Sequence, residues 1–455
     1  MFALLALVGF QSSFDSPPSS SVIADFVVLE ELELDSASQP ERLFVLRDVT
    51  LGDQDPAFGG ALTVTGIISP ASHLLQRCGD PQLEAVCSNV NTFEVIAVGT
   101  SDVLVSTIAV FDDTSHTHRF TLHLPVNGTY RLRVTLEFFD YPGLLENFAF
   151  PGWRDQARQL PTLKNSTLLR LKDIVNSPLE LQAVVKEWDS GLSTCNLKNF
   201  EGFLPGYWKG PKIWKPFACG MSRLYPLPAS LTTPFLTNKW IMLVGDSNSR
   251  RILELICRRC GKKFSIKPFW MCIGTNFLFS LHIYHPFEPP FSEFLLLTLN
   301  ETAAKTGVKS TTIPAGLRDK TEPDLVLLSI GTHAQEATGP TISKMVLESL
   351  EEVRPTWVQS RKVVLLLTTA SCSQKLLALP KLKHMVYFQN NPRINSVNHG
   401  SLESFAGKAY VLDFFSTTHP LALLSRSQDP VHFERDVYIQ HFVHILHFLS
   451  HLFRE

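Results

Sequence analysis

The stretch Ile241-Met-Leu-Val-Gly-Asp-Ser-Asn-Ser-Arg250 decides the fold of the C-terminal half of this 455-residue chain. Its apolar start is typical of a buried β-strand, and the polar residues that follow predict the beginning of a helix. The Ser247 hydroxyl would then lie at the carboxyl end of a strand and beside the amino end of a helix. Backbone N–H groups and the helix dipole can stabilise an oxyanion there. A helix simply capped by Asp246 or Ser247 would explain the same residues.

A base for this serine is offered by Asp429-Pro-Val-His432, just before the last predicted helix. A serine hydroxyl is a weak nucleophile without a base, and a turn of this length lets the carboxylate and the imidazole point into one cleft. The plain alternative is a capped helix with a surface histidine, in a chain that has 15 histidines. A third signal, Ser329-Ile-Gly-Thr-His333, ends an apolar strand, where a polar donor would face the same crevice. Together they predict that Ser247, Asp429 and His432 converge.

Apolar strands alternate with helical segments over residues 237–455. This alternation predicts an α/β domain with a mostly parallel sheet that is covered on both faces. The predicted strands are Trp240–Val244, Phe277–Ile283, Phe294–Leu299, Leu325–Ile330, Val363–Leu367 and Ala409–Phe414. The predicted helices are Ser249–Arg259, Thr341–Val353 and Glu434–Phe453.

Residues 22–150 predict an all-β sandwich, because short alternating or β-branched runs recur between turn residues. The predicted strands are Phe26–Leu34, Leu43–Leu51, Ala61–Ile68, Phe93–Val98, Val103–Phe111, Arg119–Leu124 and Tyr130–Phe138. Residues 151–236 are rich in Pro, Trp and Gly and hold two cysteines. We interpret them as a connector that packs on the next domain.

The first 21 residues are predicted to be a signal-like or disordered tail. Phe2–Phe10 is wholly apolar and a Ser/Pro stretch follows it, as after the apolar core of a signal peptide. The run is shorter than the roughly 20 residues that span a bilayer, so a signal peptide, a truncated membrane anchor and an ordinary tail all remain open.

The whole chain has a net charge of −2, which provides no electrostatic footprint for nucleic acid.

Eight cysteines and three glycosylation sequons favour the secretory pathway. The sequons are at Asn127, Asn165 and Asn300.

The CxxC motif Cys257-Arg-Arg-Cys260 could be half of a zinc site or a redox pair. No second ligand pair has suitable spacing, so structural disulfides or buried thiols are favoured. Connectivity cannot be deduced from sequence. If the connector packs in an oxidising compartment, we expect Cys195 near Cys219, and Cys78 near Cys87, with Cα atoms within about 7 Å.

The strand-GDS-helix, the Gly-x-His after a strand and the final Asp-x-x-His resemble the SGNH/GDSL esterase superfamily. Within it they are similar to the PC-esterase group, which includes trichome-birefringence-like glycan O-acetyltransferases and the NXPE (neurexophilin and PC-esterase domain) proteins. Further similarities lie upstream, at Cys195, Phe200-Glu-Gly, Tyr207-Trp208, Cys219, Phe58-Gly-Gly60 and Asn127-Gly-Thr-Tyr-Arg-Leu-Arg-Val134. The resemblance implies a flavodoxin-like three-layer catalytic domain preceded by an immunoglobulin-like sandwich.

Carried over to this chain, the resemblance implies Ser247 as nucleophile, His432 as general base and Asp429 as its orienter. His333 stands where many SGNH hydrolases have an oxyanion-hole Asn, and Phe433 replaces the Trp of the plant enzymes, which argues against a plant cell-wall substrate. The implied oxyanion or substrate-binding residues are Gly245, Asp246, Arg250, Gly274 and His333.

The implied activity is a serine-dependent acyl-ester reaction in the secretory pathway that transfers or hydrolyses O-acetyl groups of a carbohydrate or glycoconjugate. Transfer to a glycan acceptor is the expected outcome; it needs an acyl donor but no metal or organic cofactor. Trp208, Trp214 and Phe217 could line an acceptor groove or form the connector's packing core. The rival hypothesis is a non-catalytic secreted glycoprotein that binds a partner through its β-sandwich.

Overall fold

The structure is a computed structural model that describes eight ranges of the chain. These are residues 39–141, 168–185, 192–221, 234–283, 291–303, 313–330, 339–380 and 386–453, without 77, 80–84, 101, 211, 261–262, 267–268, 275–276 and 387–388. The tail of residues 1–21 and the predicted strand Phe26–Leu34 lie outside these ranges. The residues from Pro40 onward form one compact unit.

A seven-stranded sheet forms the centre of the C-terminal part. Its strands are β12 (Lys239–Gly245), β13 (Lys263–Ile266), β14 (Phe269–Ile273), β15 (Phe277–Ile283), β16 (Leu325–Leu328), β17 (Val363–Leu366) and β18 (Tyr410–Leu412). Their order is β13-β14-β15-β12-β16-β17-β18, and the pairings from β15 to β18 are parallel. The two pairings at the β13 edge are antiparallel. The predicted α/β character is confirmed.

Helices pack on both faces of this sheet. Successive residues of β12 point to opposite faces, and because residues 240–244 are all apolar, both faces are hydrophobic. Ile241 and Leu243 join one hydrophobic core, whereas Met242 and Val244 join another. The helices of this part are α2 (Ser247–Cys260), α3 (Phe291–Ala303), α4 (Gly339–Val353), α5 (Pro355–Gln359), α6 (Ser373–Leu377), α7 (Asn391–Ser404), α8 (Phe414–Leu423) and α9 (Arg435–Leu452). A short helix, α1 (Ser72–Leu75), lies in the N-terminal part.

One strand prediction in this part is wrong. Phe294–Leu299 lies inside helix α3. A short apolar run cannot be assigned to strand or helix by periodicity alone. Here Phe291 and Leu295, four residues apart, face the same core, which is the spacing of a helix.

Two antiparallel sheets make up the N-terminal part. The first has the order β1-β2-β6-β5 and the second β11-β10-β4-β3-β7-β8, with β9 also paired to β7. Their strands are β1 (Phe44–Asp55), β2 (Ala61–Pro70), β3 (Thr92–Gly99), β4 (Val103–Ile108), β5 (Val110–Asp112), β6 (Thr117–Leu124), β7 (Gly128–Phe139), β8 (Leu168–Asp173), β9 (Leu179–Ala183), β10 (Gly206–Lys209) and β11 (Ile213–Pro216). Among the described strands most pairings are therefore antiparallel. An immunoglobulin-like topology stays a prediction.

The connector of residues 151–236 supplies four strands, β8 to β11, to the second N-terminal sheet. It also packs on the C-terminal part. The Trp208 indole Nε1 donates to the Thr417 carbonyl oxygen over 2.8 Å, and Trp208 shares a core with Ile241. The aromatic residues proposed as an acceptor groove are buried: Trp208 is 0%, Trp214 4% and Phe217 1% exposed. These three rings pack in the protein interior, so the hypothesis that they line an acceptor groove is wrong.

Both expected disulfides are confirmed. Cys78 is bonded to Cys87 and Cys195 to Cys219, with Cα separations of 5.5 and 4.9 Å. Such bonds are compatible with an extracellular or secretory environment. Cys257 of the CxxC motif is a buried free thiol, and the side chain of Cys260 lies outside the described residues. Within the described ranges, every helix is too short or too polar to span a lipid bilayer.

Candidate active site

The Ser247 hydroxyl is placed by the junction of β12 and α2. Gly245 ends the strand, and a Cβ added there would come within 2.3 Å of the Ser249 hydroxyl and 3.0 Å of the Ser329 Cβ. Only glycine therefore allows the chain to pass this close to its neighbours. Asp246 follows, and Ser247 begins the helix in a partly exposed position.

The Asp246 carboxylate caps α2. Its Oδ1 accepts hydrogen bonds from the backbone N–H groups of Asn248 (2.8 Å) and Ser249 (3.4 Å). These donors have no acceptor inside the helix. The capping interpretation thus holds for Asp246, while the hydroxyl of Ser247 makes a different contact.

The structure brings Ser247, His432 and Asp429 into one chain of hydrogen bonds. Ser247 Oγ lies 2.8 Å from His432 Nε2, and His432 Nδ1 lies 2.7 Å from Asp429 Oδ2. With the proton of the neutral imidazole on Nδ1, His432 donates to the carboxylate and accepts from the serine hydroxyl. This is the arrangement that a serine nucleophile with a histidine base requires.

The turn of residues 429–432 fixes the side chains of Asp429 and His432 relative to each other. Asp429 Oδ1 accepts hydrogen bonds from the N–H groups of Val431 (3.0 Å) and His432 (2.9 Å). The His432 carbonyl accepts from the N–H groups of Gln428 and Asp429. Burial by itself raises the pKa of Asp429, but the hydrogen bonds and charge of His432 and the two N–H groups outweigh it and hold the pKa below its usual value. Asp429 is therefore ionised at neutral pH.

A second segment anchors this turn from the end of β17. The Pro430 carbonyl accepts a hydrogen bond from the Cys372 N–H (2.8 Å) and another from the Ser371 hydroxyl (3.3 Å). Both donors lie between β17 and α6. The parallel arrangement of β12, β16 and β17 brings this segment to the same edge of the sheet as Ser247.

A candidate oxyanion donor is the backbone N–H group of Ser247. Ser247 is the first residue of α2, so its N–H has no acceptor within the helix and is free to face a substrate oxygen. His333 lies outside the described residues and stays a prediction. Arg250 is half-buried, and its Nε finds no hydrogen-bond partner among the residues that the structure describes. A role of Arg250 in the oxyanion hole stays a prediction.

The prediction that Gly274 belongs to the oxyanion hole is wrong. Gly274 follows β14, whose last residue, Ile273, pairs with Leu278, and Leu278 pairs with Trp240 at the start of β12. Ser247 follows the other end of β12. Five strand residues, about 17 Å, separate the two ends. The antiparallel β14–β15 hairpin places Gly274 at the edge of the sheet opposite the site.

Sequence reasoning missed Asn248 and Tyr438. The Tyr438 hydroxyl donates to Asn248 Oδ1 over 2.7 Å and accepts from the Phe433 N–H over 3.3 Å. Asn248 Nδ2 in turn donates to Thr369 Oγ1 over 3.2 Å. The neighbours of Ser247 and His432 in sequence are thus tied to each other. Only the packing of α2 against α9 identifies this pair, since no pattern in the sequence predicts a contact between the two residues.

We expect Tyr438→Phe to slow ester turnover about tenfold with little change in KM, because it frees the segment that carries His432 without touching the substrate. It should also cost about 1–3 kcal/mol of stability, since two buried polar groups lose their partner. Tyr130→Phe is the matched control: its hydroxyl donates to the Val126 carbonyl, far from Ser247 along the chain. Equal turnover in both variants, measured with a chromogenic ester beside thermal melts, would contradict the role of Tyr438.

The described residues hold no group of three or more His, Cys, Asp or Glu side chains that could bind a metal ion.

Comparison with known proteins finds distant similarity only. No protein-family model and no curated protein matches the chain. A crystal structure of a lipase/acylhydrolase from Enterococcus faecalis is 14% identical, covers 46% of this chain and 93% of its own, and superposes with a TM-score of 0.29. A salicylyl-acyltransferase of a tetracycline biosynthetic pathway is 13% identical over 88% of this chain and 92% of its own, with a TM-score of 0.25. An enterobactin esterase from Shigella flexneri is 12% identical over 84% of this chain and 92% of its own, with a TM-score of 0.20. Similarity at this level carries no inference about the chain.

Proposed function

We propose that this protein is a serine-dependent acyl-ester enzyme of the secretory pathway that moves O-acetyl groups on carbohydrates or glycoconjugates. The observation that carries the proposal is the hydrogen-bond chain from Ser247 Oγ to His432 Nε2 and from His432 Nδ1 to Asp429. A scaffold that only binds a partner has no need of a serine and a base in this order. The two disulfides support the compartment.

In the proposed reaction, Ser247 Oγ attacks the acyl carbonyl carbon while His432 Nε2 takes the hydroxyl proton. Asp429 stays ionised and stabilises the imidazolium that forms. The tetrahedral oxyanion faces the Ser247 N–H at the start of α2. When the intermediate collapses, His432 returns the proton to the leaving oxygen and an acyl-serine remains. His432 then takes a proton from the second nucleophile, which attacks the acyl-serine. When this second intermediate collapses, His432 returns the proton to Ser247 Oγ, and the free serine is restored.

The second nucleophile decides between a transferase and a hydrolase. We propose a sugar hydroxyl, with an acyl donor supplying the acetyl group. A bound and oriented acceptor reaches an effective concentration of about 10⁵ M or more, which outcompetes water at roughly 55 M. The support for transfer is the resemblance of the strand-GDS-helix, Gly-x-His and Asp-x-x-His motifs to glycan O-acetyltransferases. The rings of Trp208, Trp214 and Phe217 add no support, because they are buried.

The test is incubation of the purified protein with a donor that carries a labelled acetyl group and with a panel of glycans. We expect label on at least one glycan, and none with the Ser247→Ala variant. If label appears only as free acetate with every acceptor, and acetylated glycans lose their acetyl groups, the protein is an esterase. If the wild-type protein neither transfers nor releases acetyl groups and does not react with a fluorophosphonate, the acyl-ester proposal is wrong.

A further inference from the structure

Two buried glutamates lie side by side in the second N-terminal sheet, outside the site described above. Glu94 of β3 is 4% exposed and Glu137 of β7 is 0% exposed. The register between these strands shifts by one residue at Glu137, since Phe93 pairs with Leu136 but Thr92 pairs with Phe138. Irregularities of this kind redirect a side chain and are common next to active sites.

Both glutamates contact the C-terminal part rather than their own sheet. Glu94 Oε1 accepts a hydrogen bond from Asn391 Nδ2 over 2.6 Å, and Glu137 Oε1 accepts one from the Ser373 hydroxyl over 2.7 Å. Asn391 Oδ1 in turn accepts from the Ser371 N–H over 2.8 Å. The two carboxyl groups therefore hold both ends of residues 371–373, the segment between β17 and α6.

This same segment anchors the turn that carries Asp429 and His432. Ser371 and Cys372 donate to the Pro430 carbonyl, as described above. An unbroken series of hydrogen bonds thus runs from Glu94 through Asn391 and Ser371 to Pro430. Glu137 fixes the other end of the segment through Ser373.

We propose that Glu94 and Glu137 are positioning residues of the active site: from the N-terminal sheet they hold residues 371–373, and through them the Asp429–His432 turn, at the distance that Ser247 requires. The proposal rests on the acyl-ester function proposed above. It assigns the β-sheet part a role in catalysis. Displacing a catalytic group by about 1 Å can cost about 100-fold in rate.

The burial of the pair indicates that one proton is retained on it. Burial, followed by the negative charge of Glu94, raises the pKa of Glu137 well above its usual value. Glu137 Oε2 finds no hydrogen-bond partner among the described residues, which suits a protonated carboxyl better than a carboxylate. Among the described residues, the titratable group that faces the pair is His419, whose Nε2 lies 3.5 Å from Glu94 Oε1 and whose Nδ1 lies 2.8 Å from the Ser106 hydroxyl.

The sign of the pH effect follows from the raised pKa. A carboxyl whose pKa is higher in the folded than in the unfolded protein stabilises the fold fully below its unfolded pKa of about 4.3, and this contribution is lost as the pH rises through the folded value. Glu137→Gln keeps the neutral form at every pH. It should therefore lose less activity than the wild-type protein as the pH rises through the raised pKa of Glu137.

The experiment compares alanine and glutamine at each position. We expect Glu94→Ala and Glu137→Ala to react with a fluorophosphonate about 10-fold or more slowly, with kcat for a chromogenic ester reduced and KM little changed. Glu94→Gln and Glu137→Gln retain the acceptor oxygen and should stay within about 3-fold of the wild-type rate. The matched control is Glu201→Ala, which removes a hydrogen bond of 2.9 Å from Arg361 to a glutamate of the connector. Arg361 lies before the start of β17, at the opposite end of that strand from residues 371–373.

The outcomes separate this inference from the acyl-ester proposal. A wild-type protein that is not labelled overturns the proposed function. If the wild type is labelled, either of two results overturns the positioning role: folded alanine variants that react at the wild-type rate, or glutamine variants that react as slowly as the alanine variants. If the alanine variants do not fold, Ser373→Ala decides, because it removes only the hydroxyl that Glu137 binds. An unchanged labelling rate and pH profile in that variant would reject the role of Glu137.

Discussion

Ser247→Ala is expected to abolish fluorophosphonate labelling and to lower ester turnover on the order of 10⁴-fold or more, because the reaction then loses its covalent intermediate. The fold should survive. The removed hydroxyl is small and partly exposed, and alanine is well tolerated in the first turn of a helix. The measurement is single-turnover labelling, run beside far-ultraviolet circular dichroism and a thermal melt.

The control for this variant is a second serine of the same helical turn. Ser249 is buried at 2% exposure, and its hydroxyl lies against Gly245 rather than against His432. Ser249→Ala should keep its labelling. Loss of labelling in both variants would point to damage of the β12–α2 junction, and retention in both would remove Ser247 as the nucleophile.

Asp429→Asn has the second largest expected effect, a fall in kcat of about 10³- to 10⁴-fold at an unchanged fold. The asparagine Oδ1 can still accept from the N–H groups of Val431 and His432, so the turn persists. The new amide group, however, donates to His432 Nδ1 and forces the imidazole proton onto Nε2. His432 then cannot accept the Ser247 proton, and no carboxylate stabilises the imidazolium.

Asp112→Asn is a matched control for this change. Asp112 Oδ1 accepts from the N–H groups of Thr114 (3.0 Å) and Ser115 (3.4 Å), two and three residues ahead, as Asp429 does. It lies in a surface turn of the N-terminal part. Steady-state kinetics should show wild-type turnover for Asp112→Asn. Comparable rates for the two variants would leave Asp429 without a role in orienting His432.

Several features of the C-terminal part were predictable because they depend on short stretches of chain. A run of four or five apolar residues ending in Gly-Asp-Ser gives a buried strand followed by a capped helix. The Asp-x-x-His spacing gives a turn in which the carboxylate receives the N–H groups two and three residues ahead. The run Phe294–Leu299 was ambiguous for the same reason, since its few apolar residues fit a strand and a helix equally well.

The sequence by itself determined the local frame of Ser247, the turn of Asp429 and His432, and the alternation of strands and helices, because hydrogen bonds and side-chain periodicity within one segment set them. Tertiary structure alone decided that Ser247 meets His432 across 185 residues, that Gly274 lies at the far end of the sheet, and that the connector aromatics are buried. It also decided that Glu137 reaches Ser373 across 236 residues. Such contacts depend on strand order and on the packing of one part against another, which no local pattern of residues specifies.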